Sequence, residues 1–240
     1  MNTTPLKSLL AAVFLAPAGS FAAITLSSAD TFSTTNGNWQ IGGSGSQPAY
    51  NSGLSFDGQP GFVTQFSDGA SSNGKWLMWS DQPQWMGDYP SAGISAINFW
   101  ADNQSGNPLG LRIAFDGPGG WFYSAAQTIT NLTADTDWTN LNYALTAANF
   151  THVTASGGTG VFADTMSNVT RLEILGGGNT ITCHASGNVL DAGTSVNTVA
   201  VDQIAAVPEP TGTSFILGGL IMAAFGMRSR PTSRSDSKME

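Results

Sequence analysis

Seven tryptophans, at positions 39, 76, 79, 85, 100, 121 and 138, are the side chains of this 240-residue sequence with the most distinctive chemistry. A flat aromatic face stacks on the apolar face of a pyranose, while neighbouring amides and carboxylates bond the sugar hydroxyls. Trp76, Trp79, Trp85 and Tyr89 are interleaved with the turn-formers Ser80, Asp81, Pro83 and Gly87. That spacing puts part of the group on a loop and makes the four rings the candidate glycan platform. Trp100 and Trp138 stand on alternating segments and read as packing aromatics. The competing reading of the whole set is core and loop packing.

Carboxylates are the second set. Hard cations prefer Asp and carbonyl oxygens, so calcium is the expected metal. Asp30, ahead of the first strands, and Asp202, on the last, come side by side if the two ends of the domain pair, which makes them the candidate structural calcium ligands. The run Asp102-Asn103-Gln104-Ser105-Gly106-Asn107 is similar to a calcium loop but lacks the distal glutamate, and reads as turn chemistry. Zinc needs clustered His and Cys. Cys183 and His184 are adjacent and His152 is distant, so zinc is not expected. Catalytic signatures are equally thin. There is no nucleophile elbow, triad spacing or phosphate-binding glycine loop. A glycosidase needs two carboxylates across a cleft. Glu173 is the only glutamate between residues 23 and 206, and nothing marks an aspartate pair.

The elements that must position these groups read as strands. Residues 95–100, 109–115, 138–145, 169–175 and 198–204 alternate in polarity and are separated by Gly, Asn and Asp turns. Only residues 146–150 and 163–166 suggest helical turns. Short strands every ten or so residues predict an all-β, antiparallel sandwich. Charged residues make up 10% of the chain, far below the usual share of about 25%. Formal net charge is −8, which argues against binding nucleic-acid phosphates. Between residues 23 and 206 three basic side chains, Lys75, Arg112 and Arg171, face thirteen acidic ones. One cysteine makes no internal disulfide.

Both ends read as addresses. Lys7, an apolar core over 9–16, the breakers Pro17 and Gly19, and Ser20-Phe21-Ala22 form a signal peptide over 1–22, cut after Ala22 or at the neighbouring Ala23 or Ser20. The alternative, an uncleaved anchor, needs a longer apolar run. No cysteine follows the core, so a lipoprotein route is closed. Residues 207–240 hold Pro208-Glu209-Pro210, an apolar stretch, then Arg228, Arg230 and Arg234. As a helix, 211–227 reaches only about 25 Å. That suits transient insertion in the inner membrane, with the arginines held on the cytoplasmic side.

These three ordered elements resemble the PEP-CTERM sorting signal. The resemblance implies a Gram-negative host that makes extracellular polysaccharide. It also implies tail processing by the membrane transpeptidase exosortase, and delivery to the cell surface or matrix. The stretch Pro231–Glu240 runs longer than is usual in that family, and a permanent C-terminal anchor is the alternative.

A second resemblance covers about 125 residues of the domain. Trp79-Ser80-Asp81-Gln82-Pro83-Gln84-Trp85-Met86-Gly87-Asp88-Tyr89, then Gly119-Gly120-Trp121, Trp138-Thr139-Asn140-Leu141, Met166 to Ile174 and Val201-Asp202-Gln203-Ile204 resemble, in order, the laminin B domain (laminin domain IV). This implies a jelly-roll β-sandwich similar to galactose-binding and carbohydrate-binding modules, with adhesion or matrix roles and no conserved catalytic centre. The expectation is therefore one exported β-sandwich over 23–206 that is not an enzyme, binds extracellular polysaccharide or aids matrix cohesion, and is flanked by a signal peptide and a short hydrophobic helix. An enzyme acting on the same polymer and a protein-binding surface domain are the alternatives.

Overall fold

The computed structural model describes Ile24 and residues 28–209 except 43–45, 56, 69–75, 106, 131–137, 178–180, 184–189 and 192–195. The expected signal peptide with Ala22, and Pro210, the apolar segment 211–227, Arg228 and Arg230 lie outside these residues. No helix among the described residues is long and apolar enough to cross a membrane.

In chain order the strands are β1 (Ala29–Asp30), β2 (Gln40–Ile41), β3 (Ala49–Leu54), β4 (Pro60–Asp68), β5 (Leu77–Ser80), β6 (Ile94–Asn103), β7 (Leu109–Asp116) and β8 (Phe122–Ser124). They continue as β9 (Gln127–Ile129), β10 (Thr139–Ala144), β11 (Phe150–His152), β12 (Arg171–Gly176), β13 (Thr182–Cys183), β14 (Leu190–Asp191) and β15 (Val196–Pro208). Pairing is antiparallel throughout. A six-stranded sheet runs β10-β6-β15-β4-β3 with β1 on β15, and a seven-stranded sheet runs β11-β8-β7-β12-β5-β2 with β9 on β7. The single α-helix among the described residues, α1 (Phe162–Met166), and a 3₁₀ turn at Ala147–Asn149 fall where the sequence suggests helical turns.

Period-2 alternation gives each strand one apolar face, and the two sheets bury those faces against each other. Val63, Ile97, Phe99, Leu141, Val199 and Val201 come from the six-stranded sheet, and Met78, Leu111, Ile113, Phe115, Leu172 and Ile174 from the other. The core is therefore continuous between the layers, and the all-β antiparallel sandwich expected from the sequence is present.

β15 departs from simple alternation. Val199 and Val201 point inward, but so do Ile204 and Ala206. The change of parity is absorbed at Gln203, which has φ 46°, and pairing with β6 shifts register between Asp202 and Ala205. A bulge of this kind inserts one residue and re-aims its neighbours. Strict period 2 predicts Ile204 on the same face as Asp202. The bulge puts them on opposite faces.

The outer face of the seven-stranded sheet is covered. Leu77, Trp79, Ala114, Trp121, Val153, Leu175 and Leu190 form a second buried cluster beneath the β13–β14 hairpin. Glu173, fully buried between Trp79 and Ala114 in the sheet register, accepts the Leu190 N–H with both oxygens at 3.3 and 3.1 Å. This bond ties the hairpin to the sheet.

Candidate functional site

The rings expected to form a glycan platform do not form one. Trp76, Trp85 and Tyr89 belong to the central core, with 1%, 0% and 0% exposure, and Trp79 belongs to the covered cluster. A 3₁₀ turn at Pro83–Trp85 folds the loop back onto the sandwich. Each polar edge then finds an internal partner, as buried Trp and Tyr require. Trp76 Nε1 donates to the Gln65 carbonyl at 3.1 Å and Trp79 Nε1 to the Gly42 carbonyl at 2.9 Å. Tyr89 OH donates to the Trp85 carbonyl at 2.9 Å, and burial pushes the pKa of this phenol far above the usual range. Their flat faces are spent on packing. Arg171 lies over the Trp79 ring, 4.2 Å from its centroid.

Asp30 serves this interior. Its Oδ2 accepts the indole N–H groups of Trp39 and Trp85 at 2.7 and 2.8 Å, and its Oδ1 accepts the Gln84 amide at 2.7 Å. The two ends of the domain do pair, with Asp30 opposite Ile204 in the β1–β15 register. The carboxylates of Asp30 and Asp202 nonetheless serve different partners. Asp202 stands opposite Trp100 on the outer side of the sheet, where Ser55 Oγ donates to its Oδ2 and the Gln203 N–H to its Oδ1 at 2.7 Å. A cation at either aspartate has to displace those donors. No group of three or more His, Cys, Asp or Glu suited to a metal occurs among the described residues. Asn103 supplies turn chemistry, its Oδ1 accepting from Ser105 N and Oγ. The His152 ring packs on Phe122 with centroids 5.0 Å apart.

The outer face of the six-stranded sheet gathers a different set. Trp100 alternates with the core residues Phe99 and Ala101 and so shares its face with Asn98 and Asp102. Asn140 and Asn142 of β10 stand opposite Trp100 and Asn98. Trp138, just before β10, meets Phe62 of β4 edge to face, with centroids 5.5 Å apart. Phe66, 61% exposed, and Thr64 share the outer side of β4, and Val196 of β15 is 56% exposed. Trp100 and Trp138 are half-buried, while Asn140 and Asn142 are exposed. Two indoles and a phenylalanine thus stand at the surface among amides and carboxylates.

Asp202 links this face to a pocket of about 310 Å³ lined by Thr31, Ser33, Asp57, Gln59, Pro60, Gly61, Asp202 and Gln203. Gln203 Nε2 reaches Asp57 Oδ2 at 3.0 Å. Two lining residues have backbone in uncommon conformations, Gln203 at φ 46° and Gly61 at φ 111°, and Gly61 approaches the neighbouring Phe32 (φ 48°) so closely that a Cβ there would lie 2.2 Å from the Phe32 carbonyl oxygen. Only glycine fits that position. Burial raises the Asp202 pKa above the ordinary aspartate value, and the neighbouring Asp57 charge adds to the rise, while the bonds from Ser55 and Gln203 work against it.

Sequence reasoning missed Trp100, Trp138, Phe62, Phe66 and Asp57. The signal for the first two was present in parity. Trp100 shares its side of the strand with Asn98 and Asp102, and Trp138 with Asn140 and Asn142.

At the C-terminal edge, Pro208 and Glu209 are part of the domain, two or three residues past the boundary expected at 206. Pro208 pairs with Ile94 and accepts from Ser95 Oγ at 3.1 Å, and Glu209 N–H donates to the Gly93 carbonyl at 2.8 Å.

No family model matches the chain, and no curated protein matches it. Among solved structures, it is similar to a family 11 carbohydrate-binding module from Clostridium thermocellum in complex with a β-1,3-1,4-mixed-linked tetrasaccharide. Identity is 15% and the TM-score 0.44, with 77% of this chain and 99% of that one covered. A cleaved adhesin domain of Lys-gingipain from Porphyromonas gingivalis is similar at 13% identity and a TM-score of 0.41, with 75% of this chain and 98% of that one covered.

Proposed function

We propose that this protein is an exported, non-catalytic domain that binds polysaccharide at the cell surface or in the extracellular matrix, through the outer face of its six-stranded sheet. The observation that carries this reading is the placement of Trp100 and Trp138, half-exposed, on an outer sheet face where Asn98, Asn140, Asn142, Thr64, Phe66 and Val196 also reach the surface. Aromatic faces supply apolar contact to a sugar ring, and the flanking amides and carboxylates satisfy its hydroxyls. Export by the signal peptide over 1–22 and tail processing by exosortase at the PEP-CTERM-like segment belong to the same proposal. Both are motivated by the order of elements in the sequence.

The test is retention of the purified protein on a gel carrying the producing cell's own matrix polysaccharide. Trp100→Ala and Trp138→Ala should each weaken retention about tenfold, equivalent to ~1.4 kcal/mol, with an unchanged circular dichroism spectrum. Unaltered retention in both variants removes this face from the site. Polymer shortened on incubation would instead identify an enzyme. No retention at all would redirect the search to protein partners. A structural calcium at Asp30 or Asp202 is checked by chelation, since its removal lowers the melting temperature and an indifferent melt excludes it.

A further inference from the structure

We infer that the outer face of the six-stranded sheet selects uncharged polysaccharide and rejects acidic polymer, because charge in this domain is segregated by face. This rests on the glycan-binding reading above and adds the class of ligand. Both described basic side chains of the segment 23–206 belong to the seven-stranded sheet. Arg112 stands opposite Leu175 and donates through Nη1 to the Gly177 carbonyl at 3.3 Å. Arg171 stands opposite Asp116 with its guanidinium over Trp79. The third base, Lys75, lies outside the described residues.

The aromatic face carries the opposite sign. Asp102 and Asp202 lie on it in register with Ala200 and Trp100 but are buried beneath the surface, and Asp57, which lines the pocket that continues it, is the exposed carboxylate. The hydrogen-bonding groups beside the rings are the neutral amides of Asn98, Asn140, Asn142, Gln104 and Gln203, with Gln104 Nε2 donating to Asp102 Oδ2 at 3.3 Å. Carboxylates and amide oxygens accept from sugar hydroxyls. A uronate, sulfate or phosphate on the polymer would face the Asp57 carboxylate and neutral amides, with no guanidinium or ammonium among the described residues of this face to meet it, whereas recognition of such anions is built on Arg and Lys. The repulsion is felt over about one Debye length, ~8 Å at physiological salt, which spans the neighbouring positions on the face.

The experiment splits the cell's matrix polysaccharide by anion exchange into an uncharged and an acidic fraction. It then measures retention of the full chain on each at 0.02 M and 1 M salt. The expected result is retention on the uncharged fraction at both salts, with retention on the acidic fraction at least tenfold weaker at low salt and the gap narrowing at high salt. Asp57 is exposed, so Asp57→Lys should keep the fold and raise low-salt retention on the acidic fraction several-fold. Equal or stronger low-salt retention of the acidic fraction by the unaltered protein overturns the charge selection and leaves glycan binding standing. Retention on neither fraction overturns both.

Discussion

The two sheets present the same kind of outer face to begin with and treat it in opposite ways. On the seven-stranded sheet, Trp79, Trp121 and Leu175 point away from the central core, and the β13–β14 hairpin closes over them with Leu190. The charged groups there have partners in place, Glu173 accepting the Leu190 N–H and Arg171 lying over the Trp79 ring. On the six-stranded sheet, Trp100, Trp138, Phe62 and Phe66 point outward as well, and among the described residues no hairpin lies over them. An aromatic facing away from a core either acquires a second core or stays at the surface as a contact. The lesson is that a tryptophan's role here is decided by what lies above its sheet, and not by whether it falls on a strand or a loop.

The sharpest way to break this contrast is to exchange the expected penalties. Trp79→Ala should destabilise the fold by about 3–5 kcal/mol, read by chemical denaturation, because it empties a packed site. The same variant, measured where it remains folded, should hold polysaccharide as before; a binding loss with intact stability would undo the assignment of the two faces. Glu173→Ala should cost about 1–3 kcal/mol by stranding the buried Leu190 amide. Amide exchange at Leu190 should accelerate ahead of that in β7, since the hairpin loosens first. Trp100→Ala should show the inverse pattern, a stability change within ~1 kcal/mol and the tenfold retention loss given above.

The smallest effect concerns one aspartate on each sheet. Burial is the main cause raising both Asp116 and Asp202 above the ordinary aspartate value, with Arg171 partly offsetting it at Asp116. A carboxyl raised on folding favours the folded state below its unfolded value of about 3.9, and that benefit is lost as pH rises through the folded value. The contribution of each to the melting temperature should therefore grow as pH is lowered from neutrality toward 4. Asp116→Asn and Asp202→Asn should each flatten that slope, and a slope indifferent to both would refute the assignment.

Much of the fold was legible because alternation is a direct trace of a two-layer core. The segments 95–100, 109–115 and 198–204 all fall inside strands, and β12 splits its faces as read, with Leu172 and Ile174 inward and Glu173 and Leu175 outward. Legibility stopped where one residue changes the count. The bulge at Gln203 leaves no mark in composition, and without it Ile204 is assigned to the wrong side. The site was misread for a related reason. Turn-formers around Trp76–Tyr89 signal a loop, but they do not say that Asp30, some fifty residues earlier, waits to receive the Trp85 indole. A half-buried carboxylate anchoring two indoles is a tertiary fact. Trp100 was recoverable from its polar strand-mates, since an indole in phase with Asn98 and Asp102 belongs to the polar face.

β15 is the last strand among the described residues and sits in the middle of its sheet, between β6 and β4 and also paired with β1. Until residues 196–208 are released, the six-stranded sheet exists only as two separate halves, β10 with β6 and β4 with β3. In chain order the sheet is therefore completed last, because its long-range pairing waits for the C-terminal edge of the domain. The closing strand acts as a clasp, and Pro208 is its final residue.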